Sequence, residues 1–316
     1  MKLVMITDTH MGIRNGSKPF MDYQMKKWKE LFEFMKKEGI RNLIHGGDFF
    51  DNRSSITLPT LNAANEFNDL VAEYGIDIKM IVGNHDVAFK NDNSINSPEE
   101  LINAYVVWEN PVTAIFDGLS IDLIPWVNNL NFESTKEFIS KSKSSFCIGH
   151  FEVNGAPFHK GGHVCEGGMD ASLFERYEKV LSGHFHTRSK VGKVEYIGAG
   201  FDYTWADWND KRGFVVIDTA DHSVTYHDWD TFMFTMGEMN EEGEVTFHPH
   251  VESIEGLYVR VVVNCKTNKK IEKAITDLES QGAIELQIFF NDGETVNQSN
   301  VSLIIVTGKQ IGRAHV

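Results

Sequence analysis

The chain opens on an apolar run, Lys2 to Thr7, that closes on the polar Asp8-Thr9-His10. A short apolar run bounded by a polar turn predicts a buried strand. From Met21 the period lengthens. Met21, Met25, Trp28, Phe32 and Met35 recur every three or four residues, which predicts a helix with one buried face, stopped by Gly39. Ile40 to Leu43 is read as the approach to a second buried strand; it breaks at Gly46-Gly47 and presents Asp48. A second helix is expected from about Thr57, with Pro59 in its first turn. Leu61, Phe67, Leu70, Val71 and Tyr74 supply its buried side, and Gly75 ends it. Lys79 to Val82 is a third strand and runs directly into Gly83-Asn84-His85-Asp86. The opening segment thus alternates β, α, β, α, β, a pattern for an α/β fold with a largely parallel core.

Farther on the strands are short and closely spaced. Asp92 to Pro98 reads as a polar loop and Ser97 as a helix start. Thr113–Phe116, Ser120–Ile124, Ser145–Ile148, Lys179–Leu181, Glu195–Ile197 and Gly213–Ile217 follow, with Val224–Trp229 as a continuation. This rhythm predicts a second, more antiparallel sheet packed on the first. Glu238 to Glu244, EMNEEGE, is the linker candidate. Beyond it, Leu257–Cys265, Asn268–Ser280 and Ile284–Phe290 read as strand, helix and strand, with Ile271, Ile275 and Leu278 facing inward. The expected fold is α/β, two packed mixed β-sheets flanked by helices, with a small β-α-β C-terminal domain. The expected division is 1–237 and 252–309. The tail 310–316, QIGRAHV, matches a translated sequencing adapter and is expected to be an artefact.

Composition narrows the class. The 316 residues are 41% hydrophobic and 24% charged, ordinary for a globular protein. Three cysteines, Cys147, Cys165 and Cys265, form no CxxC pair, which argues against a disulfide framework or thiolate zinc site and for a reducing compartment. No segment has the length to span a membrane, so the expected location is cytoplasmic. A net charge of −15 argues against a surface that grips nucleic acid everywhere. Together with thirteen histidines it favours bound metal, which would offset clustered carboxylates.

The candidate chemistry lies at the strand ends. Asp48 alone could cap a turn. Its company is Asp8 with His10, Asn84 with His85, His150, and His184 with His186, each behind an apolar run. Asp8 and His10 are two apart, as are His184 and His186, so strand alternation puts each pair on one face. Glycines precede Asp48, Asn84, His150 and His184, where backbone and ligands must crowd together. Oxygen and imidazole donors without thiolates suit Mn²⁺, Fe²⁺ or Zn²⁺. Seven ligands are too many for one ion and about right for two, with Asp48 as the natural bridge. The isolated His45, His159, His163, His222 and His248 read as surface or core polar groups.

In this order, D-x-H, GD, GNHD, GH and GHxH resemble the signature of calcineurin-like metallophosphoesterases, from Met1 to about Asp218. Asp8-Thr9-His10-Met11-Gly12, Asp48-Phe49-Phe50-Asp51 and the segment Gly198–Asp218, with Lys211-Arg212-Gly213-Phe214, resemble the SbcD-type DNA repair nucleases, the phage members above all. The resemblance implies two metal ions, Mn²⁺ in that group. Asp8, His10, Asp48 and His186 would hold one; Asp48, Asn84, His150 and His184 would hold the other. His85 would act on the substrate phosphate or leaving group. It further implies exonuclease and endonuclease activity on DNA in recombination or break repair, an SMC-like ATPase partner, and a DNA-capping role for the unit after Glu252. A homodimer is expected through part of the apolar side of the Met21–Met35 helix, with core packing the default for that face. Many cellular members carry a histidine where this chain has Asp51. The family's partner-docking segment is not evident before Lys309. Two other readings stay open. One is a phosphodiesterase or phosphomonoesterase of small molecules, favoured by the net charge. The other is a non-catalytic scaffold, which has no physical need for seven polar groups that are costly to bury.

Overall fold

The computed structural model describes residues 1–104, 106–158 and 162–291, and the backbone of the strand Leu303–Thr307. His159 and the tail 310–316 lie outside the described residues. The chain divides into two compact units. The first comprises Met1–Phe201 and Lys211–Trp229; the second comprises Asp202–Asp210 and the chain from Asp230 onward.

The first unit contains two six-stranded sheets. In the first sheet, Lys2–Ile6, Asn42–His45, Asp77–Ile81 and Val106–Trp108 run parallel. Leu3, Val4, Met5 and Ile6 are all fully buried. A strand covered on both faces shows a continuous apolar run rather than alternation. Leu3, Met5, Ile44 and Ile81 meet Leu123, Ile148 and Leu181 of the second sheet in one core. The helices Lys18–Glu38 and Leu58–Tyr74 contribute the aromatic layer around Trp28, whose ring lies 4.7 Å from Phe67 and stacks on Phe49. Gly39 ends the first helix at φ 69°, its N–H reaching the Lys36 and Met35 carbonyls. Thr57 caps the second, accepting from the Thr60 N–H.

Several expectations need correction. Leu61 is exposed; the buried side of its helix uses Ala63 and Ala64 with Phe67 and Val71. One turn back from Phe67 lie those two alanines, which carry little apolar signal. The second sheet is not mainly antiparallel. Leu119–Ile124, Phe146–His150, Lys179–Gly183 and Val194–Tyr196 run parallel, and only the edge strands Val112–Phe116 and Ser189–Val191 reverse. Strand length does not report direction; crossovers do. The crossover helix Phe132–Lys141, which packs Phe132, Phe138 and Ile139 against this sheet's core, was not read in the sequence. Gly213–Asp218 and Val224–Asp228 join the first sheet instead, antiparallel, with Leu3 opposite Ile217. Asp92–Asn96 forms a hairpin with Val87–Phe89 rather than a loop.

The second unit has one five-stranded sheet, ordered 245–248, 234–239, 258–263, 285–290, 303–307. The helix Lys269–Glu279 packs Ile271 and Leu278 against Val259, Val261, Val263, Leu286 and Ile288. The acidic stretch Glu238–Glu244 is not a linker. It closes a hairpin between Phe234–Met239 and Val245–His248, with Asn240 Oδ1 accepting from the Glu242 and Glu244 N–H groups. Asparagine, glycine and glutamate suit tight turns and linkers alike. Among the described residues, no helix is long and apolar enough to cross a membrane.

Candidate active site

The parallel strands of both sheets deliver their carboxyl ends to one place. Asp8 and His10 follow Lys2–Ile6, Asp48 follows Asn42–His45, and Asn84 and His85 follow Asp77–Ile81. From the second sheet, His150 ends its strand, and His184 and His186 follow Lys179–Gly183. Carboxyl ends of parallel strands are where α/β folds keep ligands.

The donors form two groups around one carboxylate. In the first, His10 Nε2 lies 3.0 Å from His186 Nε2, and Asp8 Oδ1 lies 4.0 Å from His186 Nε2. In the second, Asn84 Oδ1 is 3.1 Å from His150 Nε2 and 2.8 Å from His184 Nδ1. Asp48 Oδ2 stands between them, 3.9 Å from His10 Nε2 and 3.4 Å from His150 Nε2. The His150 Nδ1–H donates to the Gly46 carbonyl at 2.9 Å, which leaves the Nε2 lone pair for the site. A third trio, His10, Asp51 and His85, shares His10 with the first group. A neutral imidazole has one lone pair, so His10 can serve an ion through one nitrogen only.

The backbone is bent to achieve this. Asp8, His10, Asp48 and His184 sit at φ of 51°, 44°, 53° and 90°, left-handed values that cost a non-glycine residue about 1–3 kcal/mol each. The turns are held by other bonds. Asp8, His10 and Met11 N–H groups donate to the carbonyls of Gly47, Asp48 and Phe49. The carboxylates also accept main-chain donors, Asp8 from His184 N–H and Asp48 from His85 N–H at 2.7 Å. Buried Asp86 clamps the Phe50 and Gly83 N–H groups from behind. A Cβ on Gly83 would stand 2.1 Å from Asp48 Oδ1, so only glycine fits there.

From the helix side, Gln24 is 1% exposed and donates through Nε2 to the Thr9 carbonyl at 2.6 Å and the His10 carbonyl at 3.3 Å. Its Oε1 has no partner among the described residues, so the amide is kept for its donor end. Gln24→Met keeps the volume and removes both donors. Metal affinity should fall about tenfold or more, the range for loss of an orienting contact. Titration of the metal-free protein by calorimetry checks this, and an unchanged affinity would mean that the turn holds itself.

Charges in the cluster oppose burial. Burial would raise Asp48, but His150, His10 and His85 together outweigh it and hold the carboxyl well below its ordinary value. For His150 burial acts downward, and Asp48 overrides it, raising the imidazole to about 9. A proton there occupies the place a cation would take. His184 is lowered to about 3 by burial and by His150, and His186 is lowered by burial and by His10. Both are neutral at pH 7, the form that offers a lone pair. Burial raises Asp8 and, with Asp48, pushes Asp86 up to about 7.

All eight residues singled out at the strand ends therefore converge. His45 is buried beneath them, bonded through Nε2 to Thr9 Oγ1 at 3.0 Å; His163 and His248 are exposed and His222 is half-buried. None of the three donor groups includes a cysteine. Oxygen and imidazole donors, crowded behind glycines and around a shared carboxylate, fit divalent cations. Gln24, Asp86 and Trp126, which packs against His184, were not singled out in the sequence. The visible signal for Gln24 was a polar residue inside the apolar face of its helix.

The model of the calcineurin-like phosphoesterase family matches residues 1–188. The chain is 32% identical over 314 residues to exonuclease subunit 1 of Enterobacteria phage T4, covering 96% of this chain and 91% of that protein. Among solved structures, an archaeal phosphodiesterase aligns over 72% of this chain and 100% of its own, at 12% identity and a TM-score of 0.37. A protein of unknown function from Aquifex aeolicus aligns over 63% and 89%, at 14% identity and a TM-score of 0.30. At those scores neither structure carries an argument. The matched residues 1–188 contain every convergent donor, and the phage relative matches almost the whole length; this chain belongs to the calcineurin-like phosphoesterase family.

Proposed function

We propose that this phosphoesterase is a two-metal nuclease that hydrolyses DNA. The observation behind the reading is the position of Asp48 Oδ2 between two donor groups. Members of the family use divalent metal ions. Asp8, His10, Asp48 and His186 would hold one ion; Asp48, Asn84, His150 and His184 would hold the other; Mn²⁺ is the ion we propose. Such a pair supplies a nucleophilic water and a clamp on phosphate oxygens.

The chain's own residues do the rest. Asp8 and Asp48 bring two negative charges against four positive ones. The loaded site would stay cationic and draw in a phosphodiester, despite the net charge of −15. The His85 Nδ1–H donates to the Asp51 carbonyl at 2.6 Å. This fixes the ring and, in the imidazolium form, leaves the Nε2–H to hydrogen-bond the phosphate or protonate the leaving oxygen.

DNA as substrate is supported by the phage relative, an exonuclease subunit. The word subunit also supports a partner, which we propose to be an SMC-like ATPase acting in recombination or break repair. Met21, Met25, Leu58, Pro59, Ala63 and Leu70 line a groove in the first unit, and Leu58 is 81% exposed. A second copy of the chain is proposed to cover it. Residues 252–309 are proposed to serve as the capping domain. The rival, a small-molecule phosphodiesterase or phosphomonoesterase, is favoured by the acidic net charge. With Mn²⁺, end-labelled duplex should be degraded, and a chelator should stop it. Hydrolysis of a chromogenic phosphodiester alone, with DNA left intact, would decide for the rival.

A further inference from the structure

Trp126 stands beside the donor cluster, on the loop after Leu119–Ile124. Its ring lies 5.2 Å from that of His184, inclined by 35°, and 6.1 Å from that of His150. The loop is fixed with unusual thoroughness. Trp126 N–H donates to the Val82 carbonyl at 2.8 Å. The Trp126 carbonyl accepts from Asn93 Nδ2 at 2.9 Å and Asn131 Nδ2 at 3.0 Å. Asn128 ties these two together, donating to Asn93 Oδ1 at 3.2 Å and accepting the Asn131 N–H at 3.2 Å. Asn131 Oδ1 accepts the Asn128 N–H in return, at 2.8 Å.

Asn93 and Asn128 are buried, and amides are costly to bury unless satisfied. A satisfied network of this kind specifies one conformation. In this case it specifies the position of a tryptophan. The indole is half-buried, and its N–H is neither enclosed nor bonded to any described residue. A rigid, partly open aromatic ring beside a phosphodiester site is suited to stack on a base, since every base has a π-face.

We propose that Trp126 is a base-stacking subsite that takes the nucleobase adjoining the scissile phosphate. The inference rests on the phosphodiesterase reading and narrows its substrate. Bases inside a duplex are already covered by their neighbours, so the subsite takes a frayed end or a single strand. It gives the site a preference for nucleotides over phosphodiesters that carry no base.

The test compares the full-length protein with Trp126→Ala and Trp126→Phe. The probes are a single-stranded oligonucleotide and the same oligonucleotide with abasic terminal residues. Binding is followed by fluorescence anisotropy in Ca²⁺, and cleavage is followed in Mn²⁺. Trp126→Ala should weaken binding of the intact strand about tenfold or more and leave the abasic strand unchanged. Trp126→Phe should keep most of the affinity, and bound metal should stay at the wild-type level in both. Equal losses on both strands, or loss of metal, would show that Trp126 only props His184, and would overturn the proposal. If the wild type binds the strand with this base dependence but cleaves no DNA, the nuclease reading fails and the subsite stands.

Discussion

Asp48→Asn is expected to leave the protein folded and without the proposed pair of metal ions. The side chain stands between both donor groups, 3.9 Å from His10 Nε2 and 3.4 Å from His150 Nε2. The amide has nearly the same shape, and its oxygen can still accept the His85 N–H that Asp48 Oδ1 accepts at 2.7 Å. What it lacks is charge. With Asp8 as the one remaining carboxylate among the seven donors, two dications would sit a few ångströms apart with little to offset them. Metal content after dialysis should fall well below two per chain. Phosphodiesterase activity should fall by at least about 10²–10³-fold, the size of losing one preorganised electrostatic contact. Melting of the metal-free protein should change far less. Two tightly held ions in the variant would remove Asp48 from the bridging role.

His85→Ala should separate chemistry from metal binding. His85 sits beside His10, the rings edge to face at 4.9 Å, but its Nδ1 is committed to the Asp51 carbonyl. The free Nε2 is placed to act on substrate. A positioned acid contributes about 10²–10⁴-fold, so nuclease activity should drop by that range with both metals retained. The leaving group supplies a finer check. An alkoxide needs a proton as it departs, whereas a nitrophenolate does not. The variant should therefore lose far less on a nitrophenyl phosphodiester than on DNA. His150→Ala and His184→Ala should lose metal and activity together. An equal loss on both substrates, or a loss of metal, would falsify the assignment of His85 as a proton donor.

The donors were legible because each lies beside its own signal. Asp48 follows two glycines, Asn84 follows Val82-Gly83, and His184 follows Ser182-Gly183, all directly behind apolar strands. Neighbours in sequence remain neighbours at a strand end, so the pattern survives folding. Relations across the fold left no such trace. The Asp51 carbonyl meets His85 from 34 positions away, and the Gln24 amide reaches His10 from another element. The left-handed φ of Asp8, His10, Asp48 and His184 was not read either: Asp and His, with Asn, are the non-glycine residues that favour it, but each adopts it too rarely to be read at a single position. Strand direction in the second sheet failed for a related reason. The crossover Phe132–Lys141 that fixes it is a ten-residue helix, and its contacts with the sheet through Phe132, Phe138 and Ile139 again lie across the fold.

The first and last donors, Asp8 and His186, are 178 positions apart, and they belong to different sheets. On the two-metal reading, a ribosome must therefore finish most of the first unit before either set of donors is complete. Closing so long a loop is entropically uphill, and the contacts that reward it come last. Metal capture would thus be a late event in the life of the nascent chain. An incomplete polypeptide, even one with five of the seven proposed donors already made, would lack the hydrolytic centre that the nuclease reading requires.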